Sequence, residues 1–319
     1  MMNAKMTEAF YFNGNEAKLE NEELKFGDIS IPIRNGIPQF VSDNNYSFNN
    51  FSKLRDNHSR LQLDSNNGTN HREKTILERT NWQKEYFKDK LILECGCGAG
   101  ADTEILLKFG AQVIAVDLAG GFVAKENLIT SEKLQIVQAD IANLPLKENY
   151  FDIVFCHRVI QHTPDPADTL EHILKYVKTG GGVFVHSYAK SFWQLCRWKY
   201  PLRLITTKTN PETLYGLIRN LSRPLYKLSS FLYKFGKIGY YVNWFFIPFL
   251  NYSNEQIFND QNDDFFLEYG IHDTFDALSP KYDKPLSIRT INKITKKIIG
   301  NRDYEIITNK AITLLRTKH

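Results

Sequence analysis

With 319 residues, 42% of them hydrophobic and 24% charged, the chain can bury a full core and exceeds the usual length of one domain, so a core plus an accessory domain or large insertion is expected. A formal charge of +4 is too small to demand a nucleic-acid partner. The amino end, MMNAKMTEAFYFNG, lacks a long apolar core before a small-residue cleavage site, and no window reaches the ~18 apolar residues of a spanning helix; a cytoplasmic protein is the expectation.

Residues 1 to about 75 are polar and Asn-rich, with one apolar knot, ISIPIRNGIPQFV, as in a small accessory segment laid on a larger core. From Thr75 the periodicity changes: KTILERTNWQKEYF repeats apolar residues at helical spacing, and KLILECG reads as a buried strand. ADTEILLKFG predicts a helix stopped by Gly110, AQVIAVD a strand, GGFVAKENLIT a helix, LQIVQAD a strand and YFDIVFCHR another strand. In TPDPADTLEHILKYVKTGGG, Asp165 can cap a helix, Pro166 suits its first turn, Asp168 favours its positive end and Gly180 to Gly182 are expected to terminate it. GVFVHSY is the next buried strand. The rhythm is then lost for about a hundred residues and returns near Leu286 with a helix, SIRTINKITKKIIG, and two strands, YEIITN and AITLLRT, close enough to form an antiparallel hairpin. Alternating strands and helices predict an α/β fold, a doubly wound and mostly parallel sheet with helices on both faces. The expected division is 1–75 accessory segment, 76–189 core, 190–285 insertion and 286–319 completion of the core.

The four cysteines, Cys95, Cys97, Cys156 and Cys196, suggest neither a disulfide framework nor a metal site. C-x-C is tighter than the usual zinc spacing, and small buried hydrophobes at strand ends are the plainer reading.

In open α/β sheets ligands sit beyond the carboxyl ends of the strands, and here three strands end in acids: Glu94, Asp117 and Asp140. Gly96, Gly98 and Gly100 allow a tight turn, close approach of backbone to a ligand and tight packing of the next helix. With Ala101 the string also satisfies a permissive dinucleotide fingerprint, and Asp117 suits ribose hydroxyls in either case. Pyrophosphate at the helix amino end would meet Glu94 and Asp102, whereas those acids suit a ligand carrying positive charge. Asp140 and the backbone of Ile141 are placed to hold an adenine amino group.

LILECGCGAG, VIAVDLAG, VQADIANLP, FDIVFCHRVIQHTPDP and LKYVKTGGGVF stand in the order and spacing of class I S-adenosylmethionine-dependent methyltransferases, and the chain resembles that family from about Leu91 to Tyr188. The resemblance implies a seven-stranded Rossmann-like sheet with a reversed last strand and S-adenosylmethionine as cofactor. It places the glycine loop at the methionine moiety, Asp117 at the ribose, Asp140 and Ile141 at the adenine and His157 beside the sulfonium, with Glu94 and Leu118 also among the cofactor-binding residues. The segment IPIRNGIPQFV also resembles part of a zinc-ribbon-like domain that accompanies some methyltransferases. No cysteine precedes Cys95, so its zinc site is absent; an unrelated apolar hook docking on the core is the alternative.

Methyl transfer is a displacement at an activated carbon, so alignment is the main requirement and a general base is optional. His157 and His162 are the candidates for removing a proton from a hydroxyl or amine, with packing against the cofactor and support of the loop as their structural alternatives. His186 reads as a strand residue, with Tyr188 beyond it facing the pocket. Lys190 to Tyr240 holds ten Lys or Arg against one acid, Glu212, interleaved with aromatics. It suits an anionic or aromatic acceptor, single-stranded nucleic acid, a membrane surface or simply an amphipathic helical lid. Glu255 to Asp276, with seven acids and no base, offers a partner that can neutralise it, which disfavours nucleic acid. HDTFDALSPKYDKPLS resembles a segment that follows the insertion in a group of bacterial methyltransferases, which implies that Asp273, Asp276 and Tyr282 reach the acceptor; alternatively Ser279 and Pro280 shape a turn and Tyr282 is an anchor. The acceptor expected is a small molecule or biosynthetic intermediate methylated on oxygen or nitrogen. The rivals are a nicotinamide-dependent oxidoreductase and a non-catalytic cofactor-binding or membrane-associated protein.

Overall fold

A computed structural model of the chain describes residues 4–41, 58–128, 131–255, 258, 261–300, 302–309 and 311–318. The Asn-rich stretch 42–57 lies outside the described residues. Short antiparallel strands open the chain: β1 (Tyr11–Phe12) pairs with β2 (Asn15–Glu16), and β3 (Lys18–Glu20), β4 (Glu23–Phe26), β5 (Ile29–Arg34) and β6 (Ile37–Pro38) make a four-stranded sheet. Asn35 and Gly36, at φ 51° and 74°, form the two-residue turn between β5 and β6 that an Asn-Gly pair favours. The knot docks on the core: the Phe40 amide donates to the Gln138 carbonyl at 2.9 Å, and buried Phe10 and Phe26 join an apolar cluster with Leu144 and Leu146.

Helices α1 (Asp64–Asn67), α2 (His71–Thr80) and α3 (Lys84–Phe87) follow. The helix expected from Lys74 to Phe87 is interrupted at Asn81, which takes φ 57°; the break turns Trp82 into the core, where its Nε1 donates to the Thr317 carbonyl at 2.9 Å. The core then alternates as expected through β7 (Leu91–Cys95), α4 (Ala101–Lys108), β8 (Gln112–Asp117), α5 (Gly121–Asn127), β9 (Leu134–Gln138), β10 (Phe151–His157), α6 (Pro166–Leu174) and β11 (Val177–Tyr188). Helices α7 (Phe192–Leu195), α8 (Lys199–Thr206), α9 (Pro211–Tyr233), α10 (Gly236–Phe246) and α11 (Asp263–Leu278) come next, and α12 (Ile288–Ile299), β12 (Tyr304–Thr308) and β13 (Ile312–Thr317) close the sheet.

The seven strands lie in the order β12-β13-β11-β10-β7-β8-β9, all parallel except β13, which runs antiparallel to both its neighbours. Leu93, Cys95, Val116 and Val154 face one side with Leu170 of α6 and Ile291 of α12. Ile92, Ala115 and Phe155 face the other with Ile76 of α2 and Ile105 of α4. Each fully buried Leu, Ile or Phe in these layers contributes about 2 kcal/mol. Strand order reverses between β7 and β10, so a crevice opens there at the strands' carboxyl ends.

Asp165 caps α6 as expected, its Oδ1 accepting from the amides of Ala167 and Asp168 at 3.0 and 3.1 Å. The expected helix stop at Gly180–Gly182 is corrected: α6 ends at Leu174, and the glycines lie within β11, where its register on β10 shifts between Phe151 and Ile153. A Cβ on Gly181 would meet the Asp152 carbonyl at 2.7 Å, so this irregular strand needs bare backbone. Helices α8, α9 and α11 share a third apolar cluster containing Leu202, Leu214 and Phe275, with Trp198 at the start of α8. The Arg203 guanidinium ties α8 to the end of α11, donating to the carbonyls of Ala277 and Pro280 at 3.0 and 2.7 Å. No helix among the described residues is long and apolar enough to cross a membrane.

Candidate active site

Beyond the carboxyl ends of β7, β8, β10 and β11, under the helical layer, lies a cavity of about 500 Å³. Gly96, Gly98, Asp117, Leu118, Asp140, Ile141, His157, His162, Tyr188, Asp273 and Asp276 all line it. Three residues expected in the site do not. Gly100 packs behind the turn, where a Cβ would meet Leu128 at 2.9 Å. Glu94 is buried, its Oε2 accepting from Thr103 Oγ1 at 2.7 Å. Tyr282 stays outside the cavity wall and contributes its carbonyl, which accepts from His162 Nδ1 at 3.0 Å.

The glycine turn is shaped by its backbone angles. Gly96, Gly98 and Gly100 take φ 84°, 57° and 91°, and the Gly96 and Cys97 amides both donate to the Val116 carbonyl, at 2.7 and 3.1 Å. Asp117 closes the loop from the next strand: Oδ2 accepts from the Gly98 amide at 2.8 Å, and Oδ1 from the Ala119 and Gly120 amides at 2.8 and 2.6 Å. A carboxylate oxygen has two lone pairs, so this fixed group retains acceptor capacity for hydroxyls entering the cavity. Asp140 is fixed similarly by the Ala142 amide at 2.9 Å on Oδ1.

The electrostatic expectation for Glu94 needs correction. Burial, reinforced by Asp102, pushes its carboxyl up to about 8, so it is largely neutral at pH 7 and adds no negative field. Asp102 does carry charge. Burial alone would raise it, but His157 and Arg72 hold it well below the usual carboxylate range. Its Oδ1 lies 3.6 Å from the Arg72 guanidinium and its Oδ2 2.9 Å from His157 Nδ1.

Both nitrogens of His157 are committed. Nε2 lies 2.7 Å from Arg79 Nη1, and because a guanidinium only donates, Nε2 accepts and Nδ1–H points to Asp102. Burial pushes the ring down to about 4 against the pull of Asp102, so His157 is neutral and holds Arg79 rather than offering a base. His162 is arranged differently: its Nδ1–H donates to the Tyr282 carbonyl, which makes Nε2 the basic nitrogen. It lines the cavity with its ring edge-on to Tyr188 at 5.7 Å. Lys199 stands 4.3 Å from the Tyr188 ring and pairs with Asp283. In spite of burial, hydrogen bonds from His272 and Tyr252 keep Asp273 below its ordinary value.

Several cavity residues were not singled out by sequence. His186 sits beside His157 in parallel register, 1% exposed, with its ring centroid 5.1 Å away. Neither of its nitrogens finds a hydrogen-bond partner among the described residues. Arg158, next after β10, takes φ 64°, a strained position for a side chain of this size, and lines the same wall. Arg79 comes from α2; burial, with Arg158 and Arg72 nearby, presses its guanidinium down to about 9, still charged at neutral pH. The only sequence signal was positional: His186 and Arg158 stand at strand ends.

These protonation states predict an asymmetric stability profile. His157 and His58 titrate near 4 when folded and His186 well below 6.5, each against 6.5 unfolded, and burial is the leading cause for all three. The unfolded chain therefore binds their protons first as pH falls, and each costs roughly 1.4 kcal/mol per unit below 6.5. Glu94, raised from 4.5 to about 8, does the opposite: its contribution is complete below 4.5 and is lost as pH rises to 8. Thermal unfolding midpoints are expected to peak near pH 6.5, with the steeper fall on the acid side. A midpoint still climbing from 6.5 to 8 contradicts the Glu94 assignment.

The strand order, the glycine turn and the carboxylates fixed at successive strand ends are those that the resemblance to class I methyltransferases implies. Residues 93–185 match the family model of a methyltransferase domain. A ubiquinone biosynthesis O-methyltransferase of Acinetobacter baylyi is 29% identical over 145 residues, which is 41% of this chain and 60% of that protein. The protein of the same name from Coxiella burnetii is 31% identical over 113 residues, 34% of this chain and 48% of that one. The chain thus spans about half the length of the curated relatives it matches. Among solved structures, an S-adenosylmethionine-dependent methyltransferase fold of Methanococcus maripaludis covers 87% of this chain and 97% of its own at 16% identity and TM-score 0.44. Human N-acetylserotonin methyltransferase covers 87% and 60% at 14% identity and TM-score 0.45.

Proposed function

We propose that the chain is a cytoplasmic S-adenosylmethionine-dependent methyltransferase that transfers a methyl group to an oxygen or nitrogen of a small molecule or biosynthetic intermediate. The observation that carries this reading is one cavity with complementary groups for every part of that cofactor. Asp117 offers acceptors to ribose hydroxyls, and Asp140 with the Ile141 backbone suits the adenine amino group. Arg72 and Arg79 beside Asp102 match a zwitterionic amino acid, guanidinium toward carboxylate and Asp102 toward ammonium. A dinucleotide suits the site less, because its pyrophosphate would face the charged Asp102 in the first turn of α4.

The bound cofactor supplies a methyl carbon activated by its positive sulfonium. The chain's own residues supply alignment and, for an acceptor that carries a proton, a base at His162 Nε2 held in place through Nδ1. Tyr188, Asp273 and Asp276 line the acceptor side of the cavity with His186, and the helices of residues 190–285 act as a lid that keeps water out. The expectation that Tyr282 itself reaches the acceptor is replaced by a positioning role for its carbonyl. Within the accessory segment, β6 and the Gln39–Phe40 stretch that follows it brace the edge of the sheet at β9.

Titration calorimetry tests the cofactor half of this reading. S-adenosylhomocysteine is expected to bind one site per chain while NAD gives no heat; NAD binding without S-adenosylhomocysteine binding overturns it.

A further inference from the structure

The outer side of the helical layer carries a surface that the cavity does not use. Among the described residues, fourteen of the eighteen exposed large apolar side chains fall between Phe192 and Phe246. Helix α9 has two apolar stripes. Leu214, Ile218 and Tyr226 are buried in the layer's own core, whereas Leu217, Leu221, Leu228 and Phe231, spaced to fall on one side of the helix, remain 45–54% exposed. Phe235 and Ile238, 58% and 75% exposed, extend apolar surface across the turn into α10.

Basic groups border the stripe. Lys227 precedes the stripe residue Leu228, Arg223 lies between Leu221 and Leu228, and Lys234 and Lys237 lie at the turn; all four are exposed, and none has a carboxylate partner among the described residues. Glu255 to Asp276 was expected to neutralise this segment. Among the described residues it forms one ion pair with it, Arg219 to Glu268 at 3.8 Å, while Asp263 and Asp273 accept from Tyr226 and Tyr252 instead. Among the described residues, the bases on the outer side therefore remain uncompensated.

We propose that this face docks on an anionic lipid surface, with the Leu217–Phe231 stripe and the aromatics of the α9–α10 turn in the interface and the flanking bases on the headgroups. An exposed apolar stripe bordered by Lys and Arg on a helix too polar to span is the pattern of an interfacial helix. A second copy of the chain is a poorer occupant, because two identical faces would bring uncompensated bases together. Nucleic acid would satisfy the bases and leave exposed leucines without a partner. Tyr233 of α9 and Trp244 of α10 also line the cavity, so docking sets the acceptor side of the site beside the bilayer.

Sedimentation of the full chain with vesicles tests this independently of any methyl transfer. It is expected to pellet with phosphatidylcholine–phosphatidylglycerol vesicles, to release with added salt and to stay in solution with phosphatidylcholine alone. Trp193, 55% exposed, should shift its emission to the blue on binding. A Lys227→Glu/Lys234→Glu variant should bind at least about twentyfold more weakly, at about fivefold per base. A Leu221→Gln/Phe231→Gln variant should lose binding while keeping its circular dichroism and its affinity for S-adenosylhomocysteine. Failure of the parent to pellet, or pelleting that neither variant alters, overturns the proposal. So does a parent dimer that the apolar variant converts to monomer without any vesicle binding.

Discussion

Replacement of Asp117 by alanine is expected to weaken S-adenosylhomocysteine binding about a hundredfold, roughly 3 kcal/mol, in titration calorimetry. Two losses combine. The ribose hydroxyls lose a charged acceptor, and the amides of Gly98, Ala119 and Gly120, which now converge on one carboxylate, are left to water. The second loss loosens the glycine turn itself. Asp117→Asn separates the two: its single carbonyl oxygen can keep the Ala119 and Gly120 amides, but its NH₂ cannot accept from Gly98. An intermediate loss is expected, with the melting temperature close to that of the parent. Unchanged affinity in both variants would remove Asp117 from the cofactor site.

Gly96→Ala should be the most damaging single methyl group in the core. At φ 84° an L side chain is strained, and the added Cβ would sit 2.4 and 2.6 Å from the two methyls of Val159, a stiff β-branched neighbour that cannot swing aside. Strain and overpacking together should cost about 3 kcal/mol of stability. Val159 follows Arg158 in the cavity wall, so cofactor affinity should fall as well. Combining Gly96→Ala with Val159→Ala relieves the clash but leaves the backbone strain, and should recover about half of the lost stability. Recovery to the parent value would mean that φ at Gly96 is not restrained.

What could be read from the sequence was local. The Asp165–Pro166 cap, the acids at the strand ends and the closing hairpin each depend on neighbours within a few residues or on a period of two or 3.6, and all lie as expected. What misled was local grammar with a distant cause. Gly180 to Gly182 read as a helix stop, yet they serve the close approach of Asp152 and Tyr86 to a bulged strand. Asn81 broke a continuous helical pattern because Trp82 has a partner 235 residues away.

The charge states of the site were the least legible. Glu94 looked anionic beside the glycines, and only its complete burial against Thr103 and Asp102 makes it neutral. His157 looked like a candidate base until Arg79, 78 residues earlier in the chain, took its second nitrogen. His186 read as an ordinary strand residue because nothing nearby in sequence shows that its ring is buried on a cavity wall with neither nitrogen hydrogen-bonded among the described residues. Each of these depends on burial and on which side chains the fold packs together, and the one-dimensional pattern does not carry that information.

The central claim, methyl transfer from S-adenosylmethionine to a small acceptor, is tested most directly by incubating the protein with methyl-labelled cofactor and fractionated lysate. Label is predicted in a small-molecule fraction, with His162→Gln slowing its appearance while leaving S-adenosylhomocysteine affinity intact. Cofactor binding with no label in any fraction, or label confined to RNA or protein, would contradict the account.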